Sequence, residues 1–330
     1  MRSQPGETPD QTCSGHNSGI GGAPGIVVDA GGLGGAPGID AQPQEIGGPD
    51  AQPVVKSPFI TIAIGKAHAC GARADHTIDC IGDNSKGQAT PPPGLYYGVS
   101  AGDDFTCASQ MDKSDITRNG AVVCWGDNTY GQASPPLGVK NVSAGARHAC
   151  GSRDDDSVVC WGDNSSGQAT PPAGALVNLA AGRAHTCATK FSDPANCQSA
   201  TLVCWGDNSH AQSTPPPIRL SCVTYLSAGG DHTCVNDYGD QAWCWGDGTG
   251  GQSTPPFGSM VSLAVAPGHA CGISVSHKIL CWGQDWGDAT PVPPSGEFSN
   301  LWAGEYSTCA QPYDQTQPVV CWGPSYQLWP

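Results

Sequence analysis

The 330-residue chain is short of several things at once. Glutamate occurs only at Glu7, Glu45, Glu297 and Glu305, and Lys plus Arg number 14 against 29 acidic residues. With a formal net charge of -15 and no basic run to follow a phosphate backbone, nucleic acid is not an expected partner. No apolar stretch approaches the roughly 18 residues a membrane-crossing helix needs, so no transmembrane segment is expected. A sustained helical period is missing, which argues against an α fold. Among 17 cysteines no Cys-x-x-Cys occurs, which removes the commonest zinc spacing. There is no Gly-x-Ser-x-Gly elbow, and a His-x-Cys pair cannot act as a catalytic dyad once its thiol is oxidised. Met1 to Asp10 has no apolar core of an export signal, so any such signal is expected outside these residues.

What is abundant is Gly (46) and Pro (29), a composition of short strands and tight turns. The turns repeat. The stretch Cys160-Trp161-Gly162-Asp163-Asn164-Ser165-Ser166-Gly167-Gln168-Ala169-Thr170-Pro171-Pro172 has recognisable copies beginning at Cys80, Cys124, Cys204, Cys244, Cys281 and Cys321, with Ile81 replacing Trp in the first. Each copy follows a second signature, Ala-Gly-x-x-His-x-Cys, clearest at Ala144 to Cys150, Ala181 to Cys187 and Ala228 to Cys234. Seven contiguous units of about 40 residues imply one repeat array rather than two ordinary domains.

The two cysteines of a unit are 10 residues apart in units 1, 3, 5 and 6, 12 apart in unit 7 and 17 apart in units 2 and 4. This is the spacing of strand, turn, strand. In unit 3 the cluster Asp154-Asp155-Asp156 marks the turn, so Cys150 and Cys160 face each other across a hairpin at a separation a disulfide tolerates. Seven bonds are expected: Cys70–Cys80, Cys107–Cys124, Cys150–Cys160, Cys187–Cys204, Cys234–Cys244, Cys271–Cys281 and Cys309–Cys321. An oxidising compartment, extracellular or at the cell surface, follows. Of the other three cysteines, Cys197 and Cys222 are expected to pair. Cys13 is left over as a free thiol, an anchor or an intermolecular link.

Each unit reads as four short strands; in unit 3 they are Val139 to Ala144, His148 to Arg153, Ser157 to Trp161 and Gln168 to Thr170, closed by a Pro pair that cannot donate to a ladder. Seven small sheets that bury their faces only by stacking predict an all-β, seven-bladed β-propeller of four-stranded blades over residues 50–330. Residues 1–49, with Gly-Gly-Ala-Pro-Gly-Ile twice, are a Gly/Pro-rich arm that is expected to act as an extended or flexible tether, or as a means of assembly. Unit 7 stops without a fourth strand. Gln52 lies 18 residues before Cys70, as Gln132 does before Cys150, so residues 51 to about 56 are expected to supply the missing strand and close the ring.

Ala144 to His148 followed by Trp161 to Gln168 resembles the regulator of chromosome condensation repeat. The ending Gly-Gln-Ala-Thr-Pro-Pro is similar to the secreted bacterial branch with a β-lactamase-inhibiting propeller, and the paired cysteines to the crinkly repeats of plant receptor ectodomains. The resemblance implies a seven-bladed propeller over residues from about 50 to 330. It implies little about activity, because the family includes exchange factors, inhibitors and receptor modules. This sequence departs from the pattern at Phe105 and Ser307 in the His position, at Ala266-Pro267, at Ala211 in place of Gly, and at Gly248 in place of Asn.

His68, His148, His185, His232 and His269 recur one per unit, the wrong arrangement for a compact metal site and the right one for a structural contact. The Asp-Asn pairs fit turn-capping better than calcium, since no 12-residue binding loop accompanies them. No cofactor is expected. Asn141-Val142-Ser143 and Asn164-Ser165-Ser166 match the glycosylation sequon. Units 2 and 4 carry insertions between strands 2 and 3, Gln110 to Gly120 and Lys190 to Thr201, and loops on a rigid scaffold are the usual carriers of recognition. Asp112, Lys113, Asp115, Arg118, Lys190 and Phe191 are the binding candidates. The function expected is a secreted or cell-surface module that binds a protein or glycan. A structural subunit joined through its arm, and a hydrolase or lyase on the same scaffold, are the alternatives.

Overall fold

The computed structural model describes residues 58–111, 119–191, 200–218, 225–237, 241–284 and 293–323. They form seven three-stranded antiparallel sheets, each in strand order 1-2-3, and no helix. In blade 3 the strands are Asn141–Ala144, His148–Ser152 and Val158–Gly162. The inner strands, among them Phe59–Ile64, Tyr96–Ala101, Val177–Ala181 and Phe298–Ala303, pack on one another in chain order, and the last also packs on the first. The molecule is a seven-bladed β-propeller.

In every blade the middle and outer strands pair Cys opposite Cys, for example Cys150 with Cys160 and Cys187 with Cys204, and a disulfide joins each pair with Cα atoms 4.0 to 4.1 Å apart. The middle-strand cysteine is fully buried, as at Cys70, Cys150 and Cys234. Cys13, Cys197 and Cys222 lie outside the described residues, as do residues 51–56.

The core consists of the seams between blades. Phe105, Cys107 and Val122 of blade 2 meet Val139, Val142 and Trp161 of blade 3, and Cys150 of blade 3 meets Leu176, Leu179 and Trp205 of blade 4. One Trp per seam covers the joint, and a buried aromatic of this size contributes about 2–3 kcal/mol. Blade 1 has Ile81 at that position. There Trp302, from the inner strand of blade 7, packs with Ile62, Phe59, Ile64, Val319 and Cys321.

The expected fourth strand is a correction. Gln168 to Thr170 and the equivalent segments form turns. Their polar side chains are used inside the turn and their carbonyls are turned toward the next blade, so no ladder can form. The outer strands of blades 2, 3 and 5 are touched instead by the chain leading into the next blade. Val122 N–H donates to the Val139 carbonyl, and single bridges join Ser157 to Ala175 and Gln241 to Ser259.

Candidate functional site

The repeat places two sets of loops at opposite ends of the channel. At one end, the tips between middle and outer strands bond the chain that leads into the next blade: Tyr96 N–H donates to His76 O and Leu176 N–H to Asp156 O. At the other end, the Asp-Asn turns stand beside the turns between inner and middle strands, with Asp127 N–H donating to Asp104 O and Asp163 N–H to Arg147 O.

Each Asp-Asn turn is a closed set of bonds. In the first, Ser85 N–H and hydroxyl donate to the Asp83 carboxylate, Gln88 Nε2 donates to Asp83 Oδ2 at 2.8 Å, and Gln88 Oε1 accepts Lys86 N–H. Asn84 Oδ1 accepts Ala89 N–H while its Nδ2 donates to Thr90 Oγ1. Hydrogen bonds from Ser85 hold Asp83 below the usual carboxylate range, and Thr129 does the same for Asp127. The Gln88 carbonyl then leaves the turn to accept both Trp125 Nε1 at 2.8 Å and Thr106 Oγ1 at 3.1 Å from blade 2. The motif is thus a latch between neighbouring blades. Asn164, one of the sequon residues, has its amide occupied in such a turn, and Asn141 donates to Ser152 Oγ.

The repeated histidines lie in separate seams and do not converge. His68 Nε2 is 2.7 Å from Thr106 Oγ1, His148 is 2.8 Å from Thr186, and His269 is 2.7 Å from Thr308. Burial pushes His68, His185 and His269 down to about 4 and His148 and His232 to about 3. The glycine of Ala-Gly-x-x-His makes room for the ring: a Cβ on Gly145 would collide with the His148 imidazole and the Gly182 carbonyl. No group of three or more His, Cys, Asp or Glu among the described residues is arranged to hold a metal ion.

On the axis the inner strands enclose a cavity of about 220 Å³. Its mouth is the ring of residues that follow the signature glycine: Lys66, Asp103, Ala146, Arg183, Gly230, Pro267 and Glu305 in blades 1 to 7. Backbone bonds run around it, Lys66 N–H to Asp103 O, Asp103 N–H to Ala146 O, and Arg183 N–H to Gly230 O at 2.8 Å. Burial raises the Asp103 carboxyl, the Glu305 carboxylate raises it further, and Lys66 and Arg183 act in the opposite sense. A second cavity of about 150 Å³ adjoins it between blades 2 and 3. There Lys86 Nζ lies 2.9 Å from Asp104 and 3.7 Å from Asp127, and Arg147 lies over the Tyr130 ring at 5.4 Å.

Of the six binding candidates read from the insertions, Asp112, Lys113, Asp115 and Arg118 lie outside the described residues. Lys190 is exposed at the end of its strand, with Nζ 3.5 Å from the Ala173 carbonyl, and the Phe191 backbone pairs with Ala200. The mouth residues were missed. The available signal was the single variable residue after each signature glycine, which is charged in four units of seven.

The regulator of chromosome condensation (RCC1) repeat pattern matches residues 59–88, 116–132 and 139–168. Among solved structures the chain is similar to the CRINKLY WD40 ectodomain from the Arabidopsis thaliana receptor kinase ACR4, at 29% identity and TM-score 0.65 over 80% of this chain and 94% of that one. It is also similar to the entire ectodomain of the Physcomitrella patens receptor kinase CR4, at 28% identity and TM-score 0.65 over 79% of this chain and 72% of that one. Human WBSCR16, at 16% identity and TM-score 0.60 over 76% of this chain and 85% of that one, shares the fold. No helix among the described residues is long and apolar enough to cross a membrane.

Proposed function

We propose that this chain, which carries regulator of chromosome condensation repeats, is a non-catalytic extracellular or cell-surface module that binds a protein or glycan through one end of its propeller. The observation that carries this reading is the likeness to two receptor ectodomains over most of the chain. A disulfide in every blade supports it, because such bonds persist only in oxidising surroundings. The binding end is the one bearing the long loops of blades 2 and 4, with Asp112, Lys113, Asp115, Arg118, Lys190 and Phe191 as contacts. Those two blades flank blade 3 and place both loops on one side of the ring.

The test is deletion of residues 112–118 and 192–199 together. Partners retained by the intact chain from extracellular fluid should be lost while the melting temperature changes little, since shortening a surface loop alters its closure entropy by only about 0.6 kcal/mol per halving. Retention of the same partners by the trimmed chain would refute the assignment.

A further inference from the structure

We propose that the axial cavity, at the end of the propeller opposite the long loops, is a second site that takes a cationic group, an ammonium or guanidinium, between Asp103 and Glu305. The two carboxylates come from blades 2 and 7 and stand on either side of blade 1. Both are half-buried, whereas Lys66 and Arg183, the cations of the same ring, are exposed. A group entering along the axis therefore meets the acids inside the ring of bases.

The charges around the mouth are unevenly matched. Asp104 is engaged by Lys86 at 2.9 Å, and Arg183 leans toward Asp231 at 4.0 Å. Neither Asp103 nor Glu305 has an ion pair within 4.0 Å among the described residues. Glu305 disfavours charge on Asp103 more than Lys66 favours it. One added positive charge between them relieves that repulsion, which gives the mouth its preference of sign. The cavity of about 220 Å³ has room for one such side chain. Beneath the mouth its walls are small, with Gly65, Gly102 and Gly304 bringing backbone to the surface, so an alkyl stem can pass while its charged head stays at the carboxylates.

The test is titration calorimetry of the full chain at low salt with two probes, N-acetyl-arginine amide and a tetra-arginine peptide, and with tetraglutamate as the control of opposite charge. Binding of the single residue identifies a site for a small amine; binding of the peptide alone identifies a partner's side chain. The double variant Asp103→Asn/Glu305→Gln should weaken the binding probe at least about fivefold, as expected for the loss of partly desolvated ion pairs. Asp154→Asn/Asp156→Asn, which removes the same two charges at a distant hairpin tip, should leave it within about twofold, as for a screened long-range effect. Equal losses in the two doubles would reduce the effect to overall charge and overturn the site, as would no binding of either cation. The Asp103 carboxyl carbon resonance gives a readout without substitution. Its titration midpoint, raised in the free chain, should fall on adding the probe, and an unchanged midpoint would also overturn the proposal.

Discussion

His185 Nε2 lies 2.7 Å from Thr233 Oγ1, so the middle strands of blades 4 and 5 are hydrogen-bonded across an otherwise apolar seam. The same pairing joins His68 to Thr106, His148 to Thr186 and His269 to Thr308. Where the histidine is absent the threonine is absent too: Phe105 of blade 2 is followed by Ala149 in blade 3, and Ser307 of blade 7 faces round the ring to Ala69 of blade 1. One seam breaks the rule. His232 is followed by Ala270, and neither of its ring nitrogens has a hydrogen-bond partner among the described residues.

Ala270→Thr should therefore restore a bond that His232 lacks, raising stability by about 1 kcal/mol. Thr233→Ala, which strands His185, should lower it by about 1–3 kcal/mol. Urea midpoints of the two variants against the parent chain decide the matter. A lowered midpoint for Ala270→Thr would mean that seam 5/6 has no room for the hydroxyl and that the alanine is a packing choice.

The same histidines set the response to acid. In the unfolded chain each takes a proton near pH 6.5, whereas in the fold burial holds them neutral until about 4 or 3. The unfolded state binds more protons in that window, so stability is full above pH 6.5 and falls as pH drops toward 4, by up to about 1.4 kcal/mol per pH unit for each ring. Asp103, whose carboxyl is raised, opposes this weakly, and the carboxylates of the Asp-Asn turns add their own loss only at lower pH. Melting temperature should be flat above neutrality and decline below pH 6.5. His148→Phe with Thr186→Ala copies the Phe105 and Ala149 seam and should remove about one fifth of the decline. No change in the slope would show that the buried rings do not control it.

Ala211 stands where the other Asp-Asn turns have glycine, and it keeps their left-handed backbone, with φ of 62° against 83° at Gly131 and Gly167. The turn bond is kept as well, Ala211 N–H donating to Asn208 O at 3.1 Å. A side chain in this region costs about 1–2 kcal/mol, partly offset by glycine's greater freedom when unfolded. Ala211→Gly should accordingly stabilise the chain by about 0.5–1 kcal/mol. Its urea midpoint should rise, and a fall would show that the turn strains elsewhere.

The repeated units and the two facing cysteines were legible because both follow from local pattern: period-2 strands, a turn cluster and a fixed Cys spacing. The role of Gln168 was not. Its spacing before a Pro pair looks like a strand, yet its backbone carbonyl serves Trp205 of the next blade at 2.9 Å, a partner 37 residues away that no local pattern announces. The mouth was hidden for a related reason. Asp103 and Glu305 are 202 positions apart, and only the closing of the inner strands into a ring brings their charges into one field.

That ring has one joint of a different kind. Phe59, Ile62 and Ile64 at the start of the described chain pack on Trp302, Val319 and Cys321 of blade 7, where other seams use the Trp that follows the outer-strand cysteine. The outer strands of blades 3 and 5 are each met by the chain leading into the next blade, at Ala175 and Ser259. No later unit follows blade 7, so only the residues just before Pro58 can reach its edge, Val320–Trp322. The position of Gln52, 18 residues before Cys70, puts residues 51 to about 56 in register for that role. If they fill it, removing residues 1–48 should leave the melting temperature nearly unchanged, because a Gly/Pro-rich arm buries little apolar surface. Removing residues 1–57 should lower it by several degrees and let chains associate through the bare edge, which light scattering would register. Equal melting temperatures for the two truncations would mean that the segment belongs to the tether and that the apolar joint at Phe59 closes the ring unaided.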